Sequence, residues 1–139
     1  MLRAFLFALA AIAGCVISWS SSAQPANERE QQKAAAYRLF HAGRPGQASA
    51  ALRGFIPSSA NSHEQAALHR DVLEACAFAL DWACVESTLA GMLPLLARHK
   101  ELQYLYPEAI LYEARLNLWR NNDAYAEGIL AKGPLNEFI

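Results

Sequence analysis

The chain has 139 residues, with 12 Lys or Arg against 13 Asp or Glu, and 54% of it is hydrophobic. A near-neutral balance without a long single-sign run excludes the clustered basic face that nucleic acid requires, so no nucleic-acid partner is expected. Alanine, leucine and other good helix formers dominate and no strand-type alternation persists, so the fold class read from the sequence is all-α.

The first element in chain order is a targeting segment. The chain opens Met1-Leu2-Arg3, runs apolar from 4 to about 17, then turns polar and small through 18–23. That order is the one of a secretory signal peptide, and Ser21, Ser22 and Ala23 supply small residues for cleavage before Gln24. An apolar run of about 14 residues is short of the roughly 20 that a spanning helix needs. Ile12-Ala13-Gly14-Cys15 also resembles the lipobox of bacterial lipoproteins, in which Cys15 would carry the lipid; against it, Val16, Ile17 and Trp19 continue the apolar run. The expectation is a signal peptide over 1–23, a helical domain over 24–139 and export to the periplasm or beyond. Contact with a membrane would come only through a lipid on Cys15. Cleavage leaves about 116 residues, enough for one domain with a modest core.

Three helical hairpins are predicted next, at about 27–57, 62–94 and 107–134. The first helix begins at Asn27 with Glu30 reaching back, carries Ala35, Ala36, Leu39 and Phe40 at helical spacing, and stops at Gly43. Pro45 opens its partner, whose stripe is Ala48, Ala51, Leu52, Phe55 and Ile56. Ser62-His63-Glu64-Gln65 reads as a capping box for a long helix to about Leu80. Asp81 caps the return helix, which carries Val85, Leu89, Met92 and Leu93 and is expected to break near Gly91 and Pro94. Leu95, Leu96, Leu102 and Leu105 predict a short extra helix or a bent extension. Pro107-Glu108 starts the third leading helix, Asn121-Asn122-Asp123 turns it, and Gly133-Pro134 ends its return.

The hairpins share a pattern. Taking Gly43, Leu80 and Asn121 as turn positions, Ala36, Leu73 and Ala114 lie seven residues before, and Ala48, Val85 and Ala126 five after. Leu52, Leu89 and Leu130 lie nine after, and Pro57, Pro94 and Pro134 thirteen or fourteen after. In the first unit, Leu39-Phe40-His41-Ala42-Gly43 followed by Gln47-Ala48 and Leu52 resembles a tetratricopeptide repeat. The third unit keeps the turn-side half without the glycine. The middle one has Leu80-Asp81-Trp82 at the turn and a valine in place of the small alanine, and the spacing exceeds the family's usual 34 residues.

That resemblance implies a right-handed α-solenoid whose leading helices line a groove for a peptide or partner protein. Carried over by position, the groove residues are Lys33, Tyr37 and Phe40, then Arg70 and Glu74, then Leu111, Arg115 and Leu118. Cations among aromatics suit a ligand with a carboxylate, which arginine can grip with two N–H groups; an ordinary solvated helix face is the competing reading.

Other chemistry is thin. Cys76 and Cys84 lie four residues either side of the proposed turn, where a disulfide can close across the hairpin or two thiols can stay free. His41, His63, His69 and His99 lack zinc-type spacing, Ser58, Ser59 and Ser62 lack a positioned base, and the glycines are too scattered for a phosphate loop. No catalytic residue, metal or cofactor is expected. Trp82 and Trp119 are expected to plug contacts between hairpins, while Tyr104, Tyr106 and Tyr112 pack or form an exposed patch. The chain stops at 139 with no polar capping helix after the third hairpin, which predicts a homo-oligomer, a longer array or docking on a partner. The function expected is a non-catalytic binding or scaffold module in the cell envelope. Its alternatives are the regulatory front module of a larger envelope enzyme and a lipid-anchored structural subunit.

Overall fold

Three left-handed residues fold the chain back on itself. They are Gly43 (φ 73°), Leu80 (φ 56°) and Asn121 (φ 56°). Each is followed by a residue whose N–H reaches the carbonyl five positions back: Arg44 to Leu39, Asp81 to Cys76 and Asn122 to Asn117, all at 2.9 Å. Each left-handed residue itself donates to the carbonyl three back, at Phe40, Ala77 and Leu118. These paired bonds are a Schellman closure, which satisfies carbonyls that a helix end otherwise leaves without partners. Glycine enters this conformation freely and asparagine tolerates it, whereas leucine does so against steric resistance from its Cβ.

The computed structural model describes residues 24–132; the signal-peptide and lipobox expectations and the chain end fall outside the described residues. Six α-helices and no strand occur among them: α1 (Gln24–His41), α2 (Pro45–Arg53), α3 (Ser62–Phe78), α4 (Trp82–Arg98), α5 (Tyr106–Trp119) and α6 (Asp123–Lys132). The class is all-α. Each helix packs chiefly on its neighbours along the chain, α1 on α2, α2 on α3, and so on to α5 on α6. The recurring positions are where the helices meet. Ala36, Leu73 and Ala114, and Ala48, Val85 and Ala126, are all buried, as are Leu52 and Leu89. At four of those six paired sites an alanine occupies the contact, where a longer side chain would hold the helices apart.

Boundaries differ from expectation in four places. Helix α2 ends at Arg53, so Phe55 and Ile56 lie beyond it, and a 3-10 turn over Ile56–Ser58 carries the chain on. Asn27 lies inside α1, where its Oδ1 accepts from Gln31, and Glu30 pairs with Arg29 and Lys33 instead of capping. At α3 the cap is Asn61 and not Ser62: its Oδ1 accepts from the Glu64 N–H at 2.9 Å, while Glu64 Oε2 accepts from the Ala60 N–H at 2.7 Å. Helix α4 runs on through Gly91 and Pro94 to Arg98. An interior proline costs about 3 kcal/mol, but Leu95 and Leu96 just beyond it are buried. Each buried leucine contributes about 1.5–3 kcal/mol, so continuing the helix wins. A 3-10 segment, Lys100–Leu105, then inserts Leu102 and Leu105 into the core before α5.

Candidate partner-binding surface

Polar contacts bring the leading helices α1 and α3 side by side. Glu64 Oε1 receives Arg29 Nη1 at 2.9 Å and Lys33 Nζ at 3.0 Å. The Ala60 N–H, Lys33 and Arg29 together hold the Glu64 carboxyl down at about 2. The hydrogen bond that Lys33 donates to Glu30 leads in pushing its ammonium up, with Glu64 behind it. Further along, the Tyr37 hydroxyl donates to Asp71 Oδ2 at 2.6 Å, and burial, then Asp71, push the Tyr37 phenol up. Asp71 Oδ1 also accepts both Nε and Nη2 of Arg70, at 3.1 and 3.0 Å.

The same face continues onto α5. Burial raises the Tyr112 phenol, with Glu74 of α3 and Glu108 of α5 adding to the rise. Glu108 also acts on Arg70, behind the dominant Asp71 hydrogen bond. Arg115 lies over the Tyr112 ring at 5.6 Å. Leu111 and Leu118 stand about half exposed on α5. A recess of about 240 Å³ opens between α1, α2 and α3, walled by Tyr37, Phe40, His41, Leu52, Asp71 and Glu74.

Lys33, Tyr37, Phe40, Arg70, Glu74, Leu111, Arg115 and Leu118 thus belong to the leading helices; hydrogen bonds tie α1 to α3, while α3 and α5 act on each other through the charges of Glu74, Glu108 and Arg70. Their chemistry differs from the expected carboxylate grip. Arg70 already spends two N–H groups on Asp71, and Lys33 is held between two glutamates. What the face offers is mainly apolar. Phe40 meets Phe78 edge to face with centroids 5.5 Å apart. Phe78 is 67% exposed, Leu80 72% and Trp119 57%. Trp82 stacks on Trp119 at 5.9 Å, joining the second hairpin to the third. These side chains form a row along the hairpin turns. Phe78, Leu80 and Trp119 were not among the expected groove residues, although a signal existed: an aromatic stands two or three positions before every turn, at Phe40, Phe78 and Trp119. Tyr104 is exposed, whereas Tyr106 and Tyr112 pack against the core.

Behind this face, Cys76 and Cys84 are bridged across the second turn with Cα atoms 5.6 Å apart. His69 is buried with Nδ1 unpartnered, and burial pushes its imidazole pKa down. His99 pairs with Glu101 at 3.0 Å. Among the described residues no group of His, Cys, Asp or Glu is arranged to hold a metal ion, and no helix is long and apolar enough to cross a membrane. Compared with protein-family models, curated proteins and solved structures, the chain finds no match.

Proposed function

We propose that the chain is a non-catalytic protein-binding module, built tetratricopeptide-like from three helical hairpins and exported to the cell envelope, whose leading helices hold a peptide or a partner protein. The observation that carries this reading is the row of large apolar side chains left exposed at the ends of those helices, above all Phe78, Leu80, Leu118 and Trp119. Exposed apolar area concentrated on one set of elements marks a contact surface. Leu80 adds weight, since a leucine held at positive φ and largely in water is doubly unfavourable to the free protein. With Arg70 and Lys33 already paired, the preferred ligand is an apolar or aromatic segment, with charge setting orientation more than affinity.

Panning of displayed peptide libraries against the protein tests the reading. Selected peptides should be aromatic-rich and should bind at least tenfold more weakly to a Leu111→Asp, Leu118→Asp double variant, while Ala90→Asp on α4 leaves them unaffected. Peptides indifferent to the double variant would remove this face, and a library yielding no binder would remove the module reading. Export is tested by intact mass of the protein from cells, which should begin at Gln24.

A further inference from the structure

Arg53, the last residue of α2, aims its guanidinium at the Cys76–Cys84 bridge. Its Nη2 lies 2.8 Å from Cys84 Sγ and 3.2 Å from Ser87 Oγ. A disulfide sulfur is a weak acceptor, so the arginine gains little from it. Toward a thiolate the same contact is a charge-assisted hydrogen bond. Cys84 is also the third residue of α4, where unpaired N–H groups and the helix dipole favour negative charge. The opposing charge at this place is the Asp81 carboxylate, which is engaged by the Cys84 backbone N–H at 2.9 Å.

The partner sulfur sits differently. Cys76 is fully buried, and its Sγ lies 4.0 Å from Thr88 Oγ1, whose proton is committed to the Cys84 carbonyl at 2.7 Å. A reduced Cys76 therefore fits as a neutral thiol donating to Thr88. Cys84, with 9% of its surface exposed, faces a recess of about 320 Å³ that also contains Arg53, Ser49, Asp81 and Ser87.

We propose that Cys84 is a thiol-exchange site through which small thiols and disulfides open and re-form the Cys76–Cys84 bridge. A thiolate RS⁻ attacks Cys84 Sγ, forming an R–S–Sγ bond and breaking the bond to Cys76. The electron pair leaves on Cys76 Sγ, which takes a proton from solvent and becomes the buried thiol. A second RS⁻ attacks the R sulfur, releases RSSR and leaves the electron pair on Cys84 beside Arg53. Run backwards with RSSR as oxidant, the same steps close the bridge. Arg53 favours the second step because a stabilised thiolate is the better leaving group.

The full chain carrying Cys15→Ser and Cys76→Ser keeps Cys84 as its sole cysteine. Its thiolate absorbance near 240 nm should half-develop about one pH unit or more below the ordinary thiol value near 8.5. Oxidised glutathione should form a mixed disulfide with it, and Arg53→Met should slow that reaction at pH 7 about threefold, the loss of thiolate outweighing its higher nucleophilicity, while moving the titration up. The companion Cys15→Ser, Cys84→Ser chain should react at least tenfold more slowly. An ordinary thiol titration, one unmoved by Arg53→Met, or equal reactivity of Cys76 would overturn the site. Should either variant lose helicity, wild type reduced with a phosphine and given a brief alkylation pulse decides the matter by mass mapping. Label on Cys84 ahead of Cys76 supports the site, and equal labelling overturns it.

Discussion

Gly91→Ala should destabilise the protein, and the same change should stabilise it once His69 is shortened. Gly91 lies inside α4, where alanine normally improves a helix by about 1 kcal/mol over glycine. Here an added Cβ would stand 2.7 Å from Cε1 of the His69 ring and 3.5 Å from its Nε2. His69 is buried, and its ring would have to shift to admit the new carbon. Overpacking of this kind costs about 1–3 kcal/mol. Set against the propensity gain, the expected net loss is about 1 kcal/mol. In a His69→Ala background the obstacle is gone, Gly91→Ala should then contribute about 1 kcal/mol of stability, and the coupling between the sites should be about 2 kcal/mol. Urea unfolding of the four chains, followed by far-UV circular dichroism, measures the cycle. Gly91→Ala stabilising in both backgrounds would refute the idea that the glycine is kept for the imidazole.

Two further outcomes follow from geometry already described. Gly43→Ala meets no heavy atom within 4 Å of the new Cβ, yet φ is 73°, so a loss of about 1 kcal/mol should come from backbone conformation alone; a thermal midpoint at the wild-type value would show that the first turn does not hold the left-handed residue. Stability should also fall with pH in two windows. His69 is pushed below its ordinary 6.5 by burial, so the unfolded chain binds its proton first and stability declines as pH drops below about 6.5. Glu64, lowered from 4.5 to about 2, contributes stability that is present above 4.5 and lost as pH falls toward 2. Urea midpoints at pH 7, 4.5 and 2.5 should show both declines, and Glu64→Gln should flatten only the lower one; an unaltered lower slope would deny Glu64 its part in joining α1 to α3.

The turns were legible because their determinants are local. Gly43, Leu80 and Asn121 were placed by the spacing of alanines and leucines around them, and these are the three residues at positive φ. Helix ends were less legible where two capping residues compete, as Asn61 and Ser62 do, or where distant burial overrides a breaker, as Leu95 and Leu96 do at Pro94. The leading-helix face could be located from helical spacing. Its charge state could not, because the pairing of Lys33 with Glu64 and of Tyr37 with Asp71 depends on how α1 and α3 are set against each other. Arg53 beside Cys84 is beyond local reading for the same reason, since the two lie 31 positions apart on helices of different hairpins.

Packing of each helix on its chain neighbours has a kinetic side. Contacts between residues close in sequence need little loop closure before they form, so such a chain folds quickly and can start from any one hairpin. Among the described residues the middle hairpin has helices on both flanks and a covalent bridge across its turn, whereas α6 packs chiefly on α5. Local opening of α6 therefore costs less than opening of the middle hairpin. In such an arrangement α6 can open without dissolving the rest, and closing it again re-zips a single helix.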